Sequence, residues 1–216
     1  MPEGQRTYVP AAGHDWLLPL YDPFVKWLGG EAAHRQLIEQ AQFQPGQRVL
    51  EIGCGTGSLT TLVKSLHPGV DVVGLDPDPK ALARARRKAD KQSLSVGFDR
   101  GFSDALPYPE GSLDRVLSAF MFHHLSREVK RQSLREILRV LKPEGSLHLV
   151  DFGRGHEPRA GFFAHLLHGG GGVLDLPGSA MIALMQEAGL ADPAELAHRR
   201  MSVGNVVFYG ASRPRP

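Results

Sequence analysis

The sequence predicts an α/β fold, in which a mostly parallel sheet carries helices on both faces. Three observations lead to this prediction. Short apolar segments rich in β-branched residues alternate with longer segments of helical periodicity, which is typical of parallel strands joined by helices. A glycine-rich turn at 53–57 connects the first strand to a helix. The last two predicted strands are too close in sequence for a crossover, so we expect an antiparallel hairpin around Gly204 and Asn205.

The first half of the chain alternates regularly between the two periodicities. An apolar run at 48–52 predicts a buried strand, and helical periodicity begins at Ser58. A second strand-like run ends in Asp76, and the segment after it opens a helix rich in Ala, Arg and Lys. The predicted elements are a helix over about 14–42, strand 48–52, helix 58–66, strand 70–76, helix 79–91 and strand 94–98.

The second half continues the alternation and then ends in the hairpin. Residues 112–118 form another apolar run with an acid near its start, and a Leu-Lys-Pro-Glu-Gly step leads into the fifth strand. An irregular stretch separates that strand from the last helix. The predicted elements are strand 113–119, helix 127–141, strand 146–152, helix 178–188 and strands at about 195–202 and 205–212.

The length and composition fit a single globular domain. The chain has 216 residues, of which 42% are hydrophobic and 22% charged, and this is enough to build a full core. Within that domain we expect four parts. They are an N-terminal helical cover at 1–45, a cofactor-binding core at 46–152, a mobile substrate-side insert at 153–177, and a C-terminal helix and hairpin at 178–216.

Charge and hydropathy exclude several partners. The net charge of +2 is too small to indicate nucleic acid binding, and we interpret the basic residues of the predicted helix 79–91 as a solvated face. No apolar run approaches the ~18 residues of a membrane span. The N-terminus lacks an apolar signal segment, and Cys54 is the only cysteine, so we expect a cytoplasmic protein in a reducing compartment.

The glycine turn indicates a nucleotide-type cofactor site. A strand that enters such a turn and then a helix presents backbone N–H groups to a ligand. The spacing is G-x-G-x-G, with Ser58 where a dinucleotide fingerprint has its last glycine or alanine, and no Gly-Lys-Ser/Thr follows for a phosphate loop. Glu51 places a carboxylate beside the turn, which suits a ligand with a positively charged amino group.

Two further acids lie at the ends of predicted strands. Asp76 follows Gly55 by 21 residues, the distance at which an acid can accept hydrogen bonds from ribose hydroxyls. Asp104 lies in a loop of small and apolar residues, where it can accept from the exocyclic amine of adenine. Because the carboxyl ends of parallel strands meet at one edge of the sheet, we expect these acids and the glycine turn to share one pocket.

Several motifs in this order resemble those of the class I S-adenosylmethionine-dependent methyltransferases. The resemblance covers residues 46–152 and includes the hairpin ending. It is carried by Glu51-Ile-Gly-Cys-Gly-Thr-Gly57, Asp76, Asp104-Ala-Leu-Pro107, 114–118 and Arg139-Val-Leu-Lys-Pro-Glu-Gly145. The Leu-Lys-Pro-Glu-Gly step is typical of the small-molecule branch, which includes enzymes similar to quinone-biosynthesis C-methyltransferases.

The resemblance implies a Rossmann-like, doubly wound sheet of seven strands with the last strand reversed. It also implies S-adenosylmethionine as methyl donor and S-adenosylhomocysteine as product. The cofactor-binding residues expected from it are Glu51, Gly53, Cys54, Gly55, Gly57, Asp76, Pro77, Asp104, Ala105 and Ser118.

Methyl transfer from a sulfonium is an in-line displacement, so the protein mainly has to align the acceptor about 3–3.5 Å from the methyl carbon. A base is needed only if the acceptor loses a proton. The candidate catalytic residues are His123, His124 and Tyr21, and since the two histidines are adjacent we expect at most one to point into the pocket. The candidates outside this set are Tyr8, Asp151 and His156. His165 and His168 have helical spacing but no further ligands, so no metal is predicted.

Two segments are candidates for a cover over the pocket. The first 30 residues contain both tryptophans, and 162–172 is an apolar run followed by four glycines. These segments either close as a lid that excludes water, or the aromatic N-terminus simply packs on the sheet edge and the glycines form a loose loop. Both interpretations remain open at this stage.

Three function classes follow from these patterns. The first is methyl transfer to a small, apolar or aromatic acceptor, whose reacting atom the sequence does not reveal. The second is an NAD-dependent oxidoreductase, which the glycine spacing and the terminal hairpin oppose. The third is a non-catalytic regulator that binds S-adenosylmethionine.

Overall fold

The computed structural model describes residues 29–153, 178–202 and 204–215. The two segments expected to cover the pocket fall largely on 1–28 and 154–177, which lie outside the described residues, as does Tyr21. The strands are β1 Arg48–Ile52, β2 Asp71–Asp76, β3 Gly97–Arg100, β4 Leu113–Ala119, β5 Leu141–Phe152, β6 Ala191–Met201 and β7 Gly204–Ser212. The helices are α1 Gly30–Ala41, α2 Ser58–Leu66, α3 Pro79–Lys91, α4 Arg127–Val140 and α5 Gly178–Glu187, with a 3-10 turn at Phe122–His124.

The seven strands form one sheet in the order β3-β2-β1-β4-β5-β7-β6. The first five are parallel, whereas β7 pairs antiparallel with both β5 and β6. The predicted fold class, including the reversed last strand, is therefore confirmed. The chain winds outward from β1 to β3 and then returns to place β4 on the other side of β1. This reversal opens a crevice at the carboxyl ends of β1 and β4.

Alternating side chains of the strands bury two cores, one on each face of the sheet. On one face, Leu50 of β1 packs with residues of α4 and α5, such as Ile137 and Met185. On the other face, Val49 packs with α1 and α2, through residues such as Leu37. Burying one such side chain stabilises the fold by about 1.5–3 kcal/mol. The strands thus become a rigid platform whose carboxyl ends are held at fixed spacing.

Three strands begin three or more residues away from their predicted starts. β3 occupies 97–100 rather than 94–98, because the chain needs 92–96 to leave α3 through Ser93, whose φ is 52°. β5 begins at 141 rather than 146, because Leu141 already pairs with Leu113 before a register shift. β6 begins at 191 rather than 195, since Ala191 pairs with the end of β7. The periodicity of apolar residues within one segment does not indicate with which residues of another strand that segment pairs.

Within the described ranges, none of the helices is long and apolar enough to cross a membrane.

Candidate active site

A cavity of ≈ 650 Å³ opens at the carboxyl ends of the central strands. Its polar wall is lined by Glu51, Asp76 and Asp104, which come from β1, from β2 and from the loop after β3. Its apolar wall is lined by residues that follow β4 and continue into α4, namely Phe120, Met121, Leu125 and Val129. The three acids that the sequence predicts to share one pocket do line this one cavity.

The glycine turn is held against the end of β2 by backbone hydrogen bonds. The N–H groups of Gly53 and Cys54 both donate to the carbonyl oxygen of Leu75, at 2.8 and 3.0 Å. The N–H group of Gly55 donates to Oδ2 of Asp76 at 2.8 Å. The turn and the acid 21 residues later are therefore bonded directly to each other.

Glycine is required at two positions of this turn for different reasons. At Gly53 the φ angle is 68°, and a Cβ would lie 2.2 Å from Cγ of Met121, so the position excludes a side chain. Gly57 precedes α2 with a φ of 73° and a Cβ there would lie 2.8 Å from Ala85. The first glycine permits close approach of the loop after β4, and the second permits packing of α2 against α3.

Glu51 is a buried carboxyl at the polar wall of the cavity. Its Oε2 accepts a hydrogen bond from the hydroxyl of Thr60 on α2. Burial raises the pKa of Glu51 to about 8, although the Thr60 contact acts in the opposite direction. A carboxyl that is costly to ionise in the free protein gains most from a cationic ligand, because the ligand's charge offsets the lost hydration.

Asp76 is also buried, and each of its carboxylate oxygens accepts a backbone hydrogen bond. Oδ2 accepts from Gly55, and Oδ1 accepts from the N–H group of Asp78 at 2.9 Å. Burial raises the pKa of Asp76 above its ordinary value. Because each oxygen carries two lone pairs, the same carboxylate can still accept from ligand hydroxyls. Pro77 lines the cavity beside it.

The two adjacent histidines have different environments. His124 lines the cavity, whereas His123 is buried against the end of β5. Nδ1 of His123 lies 2.7 Å from Oδ1 of Asp151, and the backbone N–H group of His123 donates to Oδ2 at 2.9 Å. Burial acts to raise the pKa of Asp151, but His123 and the backbone donors outweigh it, so the pKa lies below its ordinary value.

The two histidine rings are in contact with each other. Their centroids are 3.9 Å apart, and Phe152 packs edge-on against His123 with centroids 5.0 Å apart. His123 is thus fixed by Asp151 and Phe152, and His124 rests on the fixed ring.

A family model described as a methyltransferase domain matches residues 49–145. The matched segment contains β1 to the start of β5, including the glycine turn and all three acids of the polar wall. Residues 49–145 of the chain therefore match the methyltransferase domain family.

Curated relatives support this assignment. The chain is similar to the demethylmenaquinone methyltransferase of Thermus thermophilus, with 39% identity over 118 residues, which are 55% of this chain and 53% of the relative. It is also similar to the demethylmenaquinone methyltransferase of Deinococcus radiodurans, with 37% identity over 129 residues, which are 60% of this chain and 52% of the relative. The matches thus span about half the length of these relatives.

A solved structure shows the same fold. Phosphoethanolamine N-methyltransferase 2 of Haemonchus contortus, in complex with S-adenosylmethionine, superposes with a TM-score of 0.76 at 16% sequence identity. The alignment covers 100% of this chain and 62% of that protein. At this identity the similarity concerns the fold alone.

The residues of the cavity fit S-adenosylmethionine chemically. The cofactor has an ammonium group, a ribose diol and an adenine amine, each of which donates hydrogen bonds. Glu51, Asp76 and Asp104 provide three carboxylate acceptors at three separate places on the polar wall. The number of carboxyl groups in the cavity thus equals the number of donor groups on the cofactor.

Some residues predicted for the site lie outside the cavity lining. Gly57 caps α2, Ala105 is exposed on the loop after β3, and His123 packs against Asp151. Ser118 is buried, and in the described part of the protein its hydroxyl oxygen has no hydrogen-bond partner. By contrast, the predicted Gly53, Cys54, Gly55 and Pro77 do line the cavity.

Lys88 differs from the solvated residue that the charge pattern predicts. It is half-buried on α3, and its Nζ donates to the hydroxyl of Ser58 at 2.7 Å, at the first turn of α2. Since Ser58 lines the cavity, Lys88 is linked to the wall of the site. Arg86, on the same helix, also contacts the sheet, because its guanidinium donates to the carbonyl oxygen of Phe98 at 2.6 Å.

Sequence reasoning missed the cavity residues that come from helices. His34 of α1 lines the cavity and its ring centroid lies 6.1 Å from that of Phe120. Ser126 and Val129, at the start of α4, line the opposite side. No local signal marks these positions, because helix placement above the sheet depends on packing. In the same described ranges, no group of three or more His, Cys, Asp or Glu is arranged to hold a metal.

Proposed function

We propose that this methyltransferase domain transfers the methyl group of S-adenosylmethionine, by in-line displacement, to a small apolar or aromatic acceptor. The observation that carries the proposal is the division of one cavity into an acidic wall and an apolar wall. The acidic wall suits the cofactor, and the apolar wall suits a ligand without charge. Both binding regions therefore open into the same cavity.

At the acidic wall, three side chains have distinct tasks in this proposal. Glu51 pairs with the ammonium group, Asp76 accepts from the ribose hydroxyls, and Asp104 accepts from the adenine amine. When bound, the cofactor supplies a methyl group that its positively charged sulfur already activates. The protein's remaining task is to hold the acceptor aligned in a dry site, where orientation alone lowers the barrier substantially.

At the apolar wall, aromatic and aliphatic side chains exclude water and orient a flat acceptor. Phe120 packs against Phe152 with ring centroids 5.4 Å apart, and Met121 and Leu125 extend the same surface. A flexible thioether beside rigid rings adapts to an aromatic ligand at little cost.

We extend the proposal to a quinol-type acceptor and a C-methylation. Relatives of this chain are named demethylmenaquinone methyltransferases, and an aromatic quinol matches the apolar wall. A quinol carbon becomes strongly nucleophilic when the hydroxyl group conjugated with it loses a proton. His124 is the side chain we propose as base, because it lines the cavity while Asp151 and His123 support it from behind.

The test is a methyl-transfer assay with radiolabelled S-adenosylmethionine and a reduced, short-chain demethylmenaquinone. We expect labelled product and S-adenosylhomocysteine in equal amounts, and His124→Asn should lower kcat by about 100-fold while cofactor affinity stays within about twofold. Binding of S-adenosylmethionine without transfer to any small aromatic acceptor would favour the regulator instead. Tight binding of NAD without binding of S-adenosylmethionine would contradict the whole proposal.

The proposal also includes partners and location. The small net charge of +2 supports a small-molecule acceptor rather than nucleic acid. The single cysteine, Cys54, is a buried free thiol, which is consistent with the reducing conditions of the cytoplasm.

A further inference from the structure

The loop after β3, residues 102–108, is bonded to α4 by side chains from three successive turns of that helix. The hydroxyl of Ser133 lies 2.7 Å from the hydroxyl of Ser103. Oε2 of Glu136 accepts the backbone N–H group of Leu106 at 2.8 Å. The three side chains on α4, which we call the α4 clamp, are Ser133, Glu136 and Arg139.

Arg139 completes the clamp with two donated hydrogen bonds. Its Nη2 donates to the carbonyl oxygen of Leu106 at 3.0 Å, and its Nη1 donates to that of Tyr108 at 2.8 Å. Glu136 and Arg139 also pair with each other, through two contacts of 2.8 Å. Both polar backbone groups of Leu106 are therefore bonded to one Glu–Arg pair.

The contacts of the clamp bracket Asp104 in the sequence. Ser103 precedes it by one residue and Leu106 follows it by two, and both are bonded to α4 rather than to a strand. Asp104 itself lines the cavity. Loops are ordinarily the most mobile parts of a fold. Here the chain is held on both sides of the acid, through the side chain of Ser103 and through the backbone of Leu106.

The geometry points to a positioning role for the α4 clamp: Ser133, Glu136 and Arg139 hold Asp104 where it can accept from the exocyclic amine of adenine. This inference rests on the proposed function, in which Asp104 contacts that amine. A planar guanidinium reaches two carbonyl oxygens at once, which an ammonium group does not do.

The test compares the dissociation constants of S-adenosylhomocysteine and S-inosylhomocysteine, measured by isothermal titration calorimetry. The second ligand has a carbonyl oxygen in place of the amine and an N1–H group in place of the acceptor N1. The ratio of the two constants therefore reports how the protein recognises this edge of the base. In the unmodified protein we expect S-inosylhomocysteine to bind roughly tenfold or more weakly, the range for a hydrogen bond to a charged group. Arg139→Lys should reduce this ratio at least threefold.

Arg131→Lys is the matched control, because Arg131 lies on the same helix and pairs with Glu128 and Glu187. Its ratio should stay within about twofold of the unmodified protein. Ser133→Ala removes a single hydroxyl from the clamp and should also lower the ratio. This variant tests the clamp inference if Arg139→Lys does not fold. A general loss of stability would weaken both ligands equally and leave the ratio unchanged.

Asp104→Ala distinguishes a failure of the clamp inference from a failure of the proposed contact between Asp104 and adenine. If Asp104→Ala abolishes the discrimination while the clamp variants retain it, the clamp inference is overturned and the adenine contact stands. If Asp104→Ala retains the discrimination, or if the unmodified protein shows none, then the assigned role of Asp104 is wrong and the clamp inference is overturned with it.

Discussion

Glu51 is the residue at which charge and burial oppose each other most directly. It is buried, its pKa is raised to about 8 by burial, and it lines the cavity. We therefore expect the carboxyl of the free protein to be largely protonated at pH 7. An ammonium group bound beside it favours the carboxylate and lowers that pKa.

Binding of S-adenosylmethionine should therefore release a proton from Glu51. We expect the association constant to increase with pH between about 6 and 8, by up to tenfold per unit, because less work is then needed to ionise the carboxyl. Calorimetry in two buffers of different ionisation enthalpy at pH 7 should show release of close to one proton.

Glu51→Gln is the control for proton release, since an amide does not titrate in this range. It should bind more weakly and show a flat dependence on pH. Equal proton release from the variant and the unmodified protein would exclude Glu51 as the source.

Among the elements, the end of β5 and the 3-10 turn Phe122–His124 depend on each other. Asp151 at the end of β5 accepts three hydrogen bonds, two from His123 and one from the N–H group of Phe152 at 2.8 Å. A buried carboxylate with this many donors is well compensated for its lost hydration. The wall of the cavity that carries His124 is thereby joined to the central sheet.

Asp151→Asn should lower the free energy of unfolding by about 2–4 kcal/mol, because an amide leaves part of this buried network unsatisfied. The pKa of Asp151 is below its ordinary value in the folded protein. The ionised carboxylate therefore stabilises the fold fully at pH values above the unfolded pKa of 3.8. The effect is lost as the pH falls through the folded pKa.

Urea denaturation at pH 7 and at decreasing pH measures both effects. The difference between the variant and the unmodified protein should shrink below about pH 4. Equal stability of the two proteins at pH 7 would contradict the role assigned to Asp151.

Considering the molecule as a whole, the proposed cofactor site lies where the sheet reverses its winding. Glu51 on β1 and Asp76 on β2 belong to one half of the sheet, whereas Phe120 and Met121 follow β4 in the other half. A ligand that contacts both walls stabilises the folded chain as a unit, because it binds only when the two halves are assembled.

S-adenosylmethionine at 100 times its dissociation constant should add about 2.7 kcal/mol to the stability. For a chain of this size that raises the Tm by roughly 5–10 °C, which differential scanning fluorimetry can detect. NAD at the same concentration should leave the Tm unchanged.

Asp76→Ala should abolish most of this stabilisation, since it removes the proposed acceptor for the ribose hydroxyls. A full increase in Tm for the variant would show that Asp76 does not contact the cofactor.

The sequence predicted the parts of the fold and the site that depend on local geometry. Alternation of apolar residues predicted the order and type of the elements, because strand and helix differ in local period. Glu51, Asp76 and Asp104 were predicted to meet because each follows or ends a strand, and parallel strands present their carboxyl ends at one edge. The start of β3 was misplaced, because pairing of Gly97 with Val73 decides it rather than local pattern.

The cofactor half of the proposed site is predictable from the sequence, because a strand, a glycine turn and acids at strand ends are local patterns with steric or electrostatic causes. That His124 rather than His123 lines the cavity depends on tertiary contacts, since Asp151, 28 residues away, bonds the other ring. Tertiary contacts likewise place His34 at the cavity and bond α4 to the loop that carries Asp104. Each arises from packing between segments distant in sequence, and such packing energies have no local signature in the chain.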